Sequence, residues 1–500
     1  MLGLVRDIVF ARFFGATIVM DAFIVANRIP NMLRRFFAEG AFSQGFVPVM
    51  ARYRETHTHD EARVLVDAVA GTLGFILFAI TAIGVIAAPL LVLIVAPGFI
   101  GDDGRFDLAT LMLRFTFPYL FFVSLTAFAG GILNTYGKFA VPAFTPVILN
   151  VVLISFAVWL GPLLDQPGMA LAYGVLVAGI VQLLFQLPFL AQIRAMPRPR
   201  WNPRHAGVRR IGKLMLPAIF GSSVAQINVL LGGVIASLLG VGKISLLYFS
   251  DRLMEFPLGL FGIALATVTL PHLSRQFAAK SERDFSHTVD WSMKLVVLVA
   301  VPAALGLIVM AEPLVATIFY GGEFSKSDVR LTAISLQAFS IGLVGFSFVK
   351  ILAPAYFARE DTRTPVKIGL IALLVNFVLS VTLAYFLQRA GFAATHAGLA
   401  LAISVAALVN AWLLYRGLRR DNIVHHSAGW RSLLIKFLIA NLCMVFTFMM
   451  LTRPLSWWIE ASVSGRVGWV LLEVAAGASV YFLALFALGV RTSTLRLRTA

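Results

Sequence analysis

Residues 21–55, DAFIVANRIPNMLRRFFAEGAFSQGFVPVMARYRE, decide how this chain is read. The first part is apolar enough to enter a bilayer, yet Asn27, Arg28, Asn31, Arg34, Arg35 and Glu39 interrupt its runs of Phe, Ile, Val and Ala. A guanidinium at the centre of a membrane helix costs roughly 2.5–3.5 kcal/mol on insertion scales, so several in one segment demand a reason. Asn27, Asn31, Arg34 and Ala38 fall at i, i+4, i+7 and i+11, which a helix gathers onto one face. Arg35 and Glu39 stand four apart and can pair, leaving Arg28 and Arg34 as the cations most in need of an external partner. Pro30 removes a backbone donor, and a kink is expected there. Two readings compete: arginines that snorkel to the interface from a helix end, or the cationic wall of a water-filled cavity. The cluster as a whole favours the wall.

Outward from this stretch, apolar residues make up 59% of the 500 and charged ones only 13%, with a mean hydropathy of +0.89. That excludes a soluble globular protein and points to an all-α polytopic membrane protein. The formal charge of +17 raises nucleic acid as a partner, but the basic residues gather between apolar runs and form no soluble basic domain. Membrane topology accounts for them. The lone Cys443 leaves no intrachain disulfide and no thiol metal site. Met1 opens straight into an apolar, arginine-bearing segment, so no cleavable leader is expected. His57, His59, His425 and His426 lie in loops without metal-ligand spacing, and no phosphate-binding loop or nucleophile elbow is present. No cofactor, metal or catalytic residue is expected.

Apolar runs of about 20 residues, each long enough to span a bilayer, fall at 21–49, 64–96, 108–133, 141–164, 169–193, 212–239, 244–273, 291–319, 331–356, 366–387, 394–415, 432–452 and 467–490, after a short one at 1–14. That gives about fourteen transmembrane helices. Positive charge follows the even-numbered spans: Arg52, Arg54 and Arg63; Arg194 to Lys213; Arg275, Lys280 and Arg283; Arg359, Arg363 and Lys367; Arg416 to Arg431; and the C-terminal Arg491, Arg496 and Arg498. The intervening loops carry far less, such as Arg105 beside Asp102 and Asp103. Both termini are therefore expected on the cytoplasmic side.

An internal repeat organises the spans. Pro48 and Arg52 recur 223 residues later as Pro271 and Arg275, and the same offset takes Asp67 to Asp290, Gly98 to Gly321, Leu108 to Leu331 and Pro142 to Pro365. Near the sixth span it grows to 230, where Gly168 meets Gly398. Six helices separate the copies, and an even number preserves orientation, so the repeat is parallel with its pseudo-two-fold along the membrane normal. The expected organisation is a six-helix lobe over 1–205, a second over 206–425, a central cleft between them and a two-helix appendage over 426–500.

Polar residues elsewhere extend the cationic wall. Arg6 and Asp7 sit in the first span, and D-R-L-M-E-F-P in the eighth carries Asp251, Arg252 and Glu255. Arg252 and Glu255 are three apart and can pair within a helix, while Asp251 and Glu255 share a face. Either pair can be purely structural, as can Arg6 with Asp7. Guanidinium forks match phosphate oxygens in bidentate geometry, so arginines on such a wall suit a pyrophosphate group. Asn27, Asn31 and Gln44 are placed to bond sugar or peptide groups or to act as interhelical glue, and the glue reading covers Gln182, Gln226, Asn228, Asn376 and Asn410. Arg12 and Lys350 read as snorkelling side chains.

Three strings, LGLVRD, DAFIVANRIPNMLRRFFAEGAFSQGFVPV and DRLMEFPLGLFGIALATVTLP, resemble the MurJ (MviN) family, the lipid II flippases of bacterial peptidoglycan synthesis within the multidrug/oligosaccharidyl-lipid/polysaccharide exporter superfamily. The resemblance covers essentially the whole chain. It implies a transporter and not an enzyme, one that carries undecaprenyl-pyrophosphate-linked disaccharide-pentapeptide across the inner membrane by alternating access. By the same resemblance Arg6, Arg28, Asn31, Arg34, Arg35 and Arg252 contact substrate, while Asp7, Asp21, Glu39, Asp251 and Glu255 act as gating or ion-pair partners. The last two helices would offer a groove to the polyprenyl tail. Lipid II, membrane lipids and cell-wall synthesis proteins are the expected partners, and nucleic acid is not.

This chain departs from the family pattern in two places. Family members begin upstream, with Ser-Arg before the equivalent of Leu2-Gly3, so the chain is expected to start inside its first helix and to miss the family's first cavity arginine. Some members resemble sodium-coupled carriers through carboxylates on helices seven, eleven and twelve. Those spans hold no Asp or Glu here, so sodium coupling at that place is not expected. The competing readings are another lipid-linked oligosaccharide flippase or a cation-coupled drug exporter, which would line its cleft with acids and aromatics. A polyprenyl-phosphate glycosyltransferase would show acidic metal-binding motifs in its loops, and these loops are basic.

Overall fold

The computed structural model describes residues 2–35, 41–101, 104–259, 263–425 and 429–490. Among them the chain divides into two compact units, Met1–Ser245 and Leu246–Ala500. The first holds α1 (Leu2–Phe14), α2 (Ile18–Arg34), α3 (Ala41–Thr56), α4 (His59–Ile86), α5 (Ala88–Val95), α6 (Arg105–Thr116), α7 (Tyr119–Thr135), α8 (Ala140–Ser155), α9 (Met169–Gln192), α10 (Ala206–Ser237) and the start of α11 (Lys243–Pro257). The second holds the rest of α11, then α12 (Ile263–Ala278), α13 (Glu282–Val309), α14 (Ala311–Phe319), α15 (Lys326–Phe357), α16 (Arg363–Arg389), α17 (Ala397–Arg420), α18 (Trp430–Leu451), α19 (Leu455–Glu460) and α20 (Val463–Ala487). The all-helical expectation holds: the described residues form helices and one isolated bridge, Gly321 to Phe324.

The helix bounds keep the offset read from the sequence. α4 and α13 are both 28 residues long and begin 223 apart; each breaks after its last residue into a short helix, α5 or α14. α9 and α17 are both 24 residues long. The repeated acid has the same task in both copies. Asp67 on α4 accepts the Arg198 amide at 2.7 Å with its carboxylate, and its carbonyl accepts from Arg200. Asp290 on α13 accepts from the Trp430 indole at 2.6 Å and pairs with Lys294 at 2.9 Å, while Ser286 accepts the His425 amide. In each unit a buried acid near the start of a long helix stitches down the segment that leaves α9 or α17.

Ten helices or helix pairs among the described residues are long and apolar enough to cross a membrane. The runs expected at 1–14, 21–49, 212–239 and 244–273 are not among them. α1 has 13 residues, about 20 Å of helix, which is short for a hydrocarbon core of ~30 Å. The second run is described as α2 and α3 and the eighth as α11 and α12, with residues 36–40 and 260–262 outside the described set. The runs at 1–14, 21–49 and 244–273 carry every candidate site residue.

Packing elsewhere follows membrane rules. A Cβ on Gly345 of α15 would lie 2.7 Å from the Leu408 amide nitrogen, so α15 and α17 approach at backbone distance, and Ser404 donates across to Ala338 O at 2.7 Å. Leu370, Leu374, Val378, Val381 and Phe386 point outward from α16 where lipid would be.

Candidate functional site

In the first unit, α1 presents Arg6 beside Asp7. Arg6 donates to Asp7 Oδ1 from Nε at 2.9 Å and from a terminal nitrogen at 2.7 Å, and its guanidinium stands 5.5 Å from the Phe10 ring centre. Asp7 is buried and Arg6 keeps partial exposure, so the acid is neutralised at its base while the cation retains an open side.

α2 builds the rest. Arg34 donates from Nε to Asn31 Oδ1 at 3.2 Å, one helical turn back, which fixes both side chains on the face that the spacing gathers. Arg35 is exposed at the helix end. Glu39, its expected partner, lies outside the described residues, as do Asp102, Asp103, Arg491, Arg496 and Arg498. Arg28 reaches α10, where its guanidinium lies directly over Gly233: a Cβ there would sit 1.6 Å from a terminal nitrogen of Arg28. Only a residue without a side chain leaves that space. Pro30 sits within α2, which continues to Arg34.

Asp21, expected among the gating acids, is fully buried with its oxygens engaged. One accepts from the Gly242 amide at 2.6 Å, the other from the Ser245 amide at 2.9 Å and the Ser245 hydroxyl at 2.5 Å. The acid thus caps the first turn of α11 from another helix, satisfying amides that have no partner within α11. Arg105, at the start of α6, is buried within electrostatic reach of Asp21 and lies 4.7 Å from the Phe99 ring. Ser237 accepts the Gly98 amide at 3.1 Å, closing the same corner of the unit. With Asp7 and Asp21 committed, the α2 face is cationic through Arg28, Arg34 and Arg35.

In the second unit, Arg252 donates to Glu255 at 2.7 Å and lies 5.0 Å from the Tyr248 ring. The pair keeps 38% and 50% of its side-chain surface open, so it is the exchangeable kind, worth about 0–1 kcal/mol. Asp251 is half-buried. Among the described residues no group of His, Cys, Asp or Glu could hold a metal.

Gly233, Arg105 and the Gly242–Ser245 turn were not singled out from the sequence. Gly232-Gly233 in an apolar run was the available signal for the first; Arg105 read as a loop cation.

The family model described as Lipid II flippase MurJ matches residues 10–467. A probable lipid II flippase MurJ of Haemophilus influenzae is 44% identical, over 98% of this chain and 97% of that relative. A solved lipid II flippase MurJ in an inward closed conformation superposes with a TM-score of 0.78 at 25% identity, over 97% of this chain and 95% of that one. The fold is shared with an inward-facing multidrug resistance MATE transporter of the MOP superfamily, at a TM-score of 0.68 and 14% identity over 84% and 94%.

Proposed function

Because this chain belongs to the lipid II flippase MurJ family, we propose that it moves lipid II from the cytoplasmic to the periplasmic leaflet by alternating access. It is a multi-pass membrane transporter and not an enzyme. The observation that carries the substrate reading is the α2 face, where the Arg28 guanidinium lies over Gly233 and Arg34 is tied to Asn31. Planar forks match the oxygens of two linked phosphates, while the polyprenyl tail stays in lipid. Arg6 and Arg35 extend the cationic set. Arg252 is a switchable cation that trades Glu255 for substrate, with Asp251 beside it. Asp7, Glu39 and Glu255 serve as the counter-charges, and Asp21 acts by holding α11 in place.

The organisation we propose is a lobe over 1–205, a lobe over 206–425 and an appendage over 426–500 that accommodates the tail, in the inner membrane with both termini cytoplasmic. Cell-wall synthesis proteins are its proposed neighbours.

Replacing Arg34 or Arg252 with Ala tests this. A charge-assisted bond to phosphate is worth about 1.5–3 kcal/mol, so lipid II translocation in proteoliposomes should fall by roughly tenfold or more in each variant. Growth rescue after depletion of a native flippase should fall with it. Wild-type rates in both variants would remove the arginines from the substrate path.

A further inference from the structure

α20 turns one stripe inward: Arg466, Glu473, Gly477, Tyr481 and Leu485 are buried, while Leu471, Phe482, Leu483 and Phe486 face out. Most of the stripe is accounted for. Arg466 donates to the carbonyls of Ala461 and Ala316 at 3.0 and 3.1 Å. Gly477 admits the Phe448 ring of α18, which a Cβ would meet at 2.4 Å. Tyr481 donates to Leu298 O at 2.8 Å.

Glu473 stands apart. It is 0% exposed, and neither carboxyl oxygen makes a hydrogen bond. The indole of Trp469, one turn earlier, is a polar neighbour, but its N–H goes to Leu451 O at 3.2 Å. Glu473 lies roughly 15 Å along the helix from Val463, near the middle of a 25-residue span, where a short side chain cannot snorkel to either interface.

The surrounding charges are committed or distant along their helices. On α18 they are Arg431 and Lys436, the latter 3.9 Å from the Cβ position of Gly489 at the far end of α20. α13, which Tyr481 meets at Leu298, carries Lys294 paired with Asp290 at 2.9 Å and, nearer its start, Glu282, Arg283, Asp284 and His287; α14 carries Glu312 and α19 carries Glu460. Arg453 stacks on Trp469 at 4.6 Å, and Arg466 is held by its two carbonyls. An ionised carboxylate in this setting would lack both water and a counter-ion, so the group takes a proton.

We propose that Glu473 is an intramembrane proton-binding site, a neutral carboxylic acid at rest that gives its proton to entering water and retakes one when α20 shifts against α18 and α14 during transport. The ligand is the proton itself, and the ionised form belongs to the state that admits water. An acid kept only for packing would be replaceable by its amide without effect on pH response.

The full-length protein in liposomes carries the test. Infrared spectra in neutral buffer should contain a protonated-carboxyl C=O band that Glu473→Gln removes. Lipid II flipping should depend on pH in the wild type, flatten in Glu473→Gln and in the apolar Glu473→Leu, and return with a displaced midpoint in Glu473→Asp. Absence of the band in the wild type, or a wild-type pH profile in the Gln variant, overturns the proposal. The infrared measurement reads the acid whatever the cargo is, so its failure is distinct from failure of the transport reading.

Discussion

Gly233 shows how one missing side chain can matter to a cation on another helix. Gly233→Ala puts a methyl group where the Arg28 guanidinium lies, 1.6 Å from its terminal nitrogen, and the flexible end of Arg28 must swing away. The backbone of α10 loses nothing, since Ala is favoured over Gly in a helix interior by roughly 0.5–1 kcal/mol. The expected outcome is unchanged or raised thermal stability together with a fall in lipid II translocation close to that of Arg28→Ala. Equal translocation in Gly233→Ala and wild type would separate Arg28 from substrate. At this scale the sequence drew attention to the arginines of α2 because several guanidinium groups in an apolar run have few explanations, and the family resemblance supplied their expected role. It could not say what Asp21 does. A carboxylate that caps a helix 221 residues away in the chain looks, in sequence, like any other acid near arginines.

At the scale of the element, α16 begins with a device that can be titrated. Asp361 Oδ1 accepts the amides of Arg363 and Thr364 at 3.0 Å each, and the hydrogen bonds to Thr364 hold its carboxyl below the ordinary value. A folded-state value lower than the unfolded one means that the stabilisation is complete above the usual carboxylate range and is lost as pH falls through the folded value. Asp361→Ala should therefore cost about 1 kcal/mol near neutrality. In thermal unfolding the gap between variant and wild type should close in acid; a gap that is constant with pH would assign the effect to something other than the carboxylate. Element boundaries were legible where Gly, Pro and charge ended an apolar run, and the recurrence of α4 and α13 was visible as a chain of weak matches at one offset. The breaks of α4 into α5 and of α13 into α14 were not. Apolar composition continues across them, so periodicity reads each pair as one run.

For the molecule as a whole, a chain that translocates charge past fixed arginines answers to the membrane potential. Each elementary charge moved is worth roughly 2.3 kcal/mol per 100 mV, enough to bias an alternating-access cycle strongly. Lipid II flipping in proteoliposomes should change rate with an imposed potential, and rates indifferent to it would show that no net charge crosses in the slow step. Composition made the membrane class certain, and the family strings made the activity legible. The proton site on α20 was hidden, since Glu473 sits in a run that reads as plain lipid-facing helix until burial is known.

The stitches at Asp67 and Asp290 also bear on how the chain is made. Asp67 is synthesised 131 residues before the Arg198 amide it binds, and Asp290 140 residues before Trp430. At about 5–20 residues per second each acid waits roughly 7–28 s for its partner to leave the ribosome. The first fastening can close before the second unit is made, so biogenesis proceeds as two successive closures, the first ahead of α10 and the second as α18 begins to emerge.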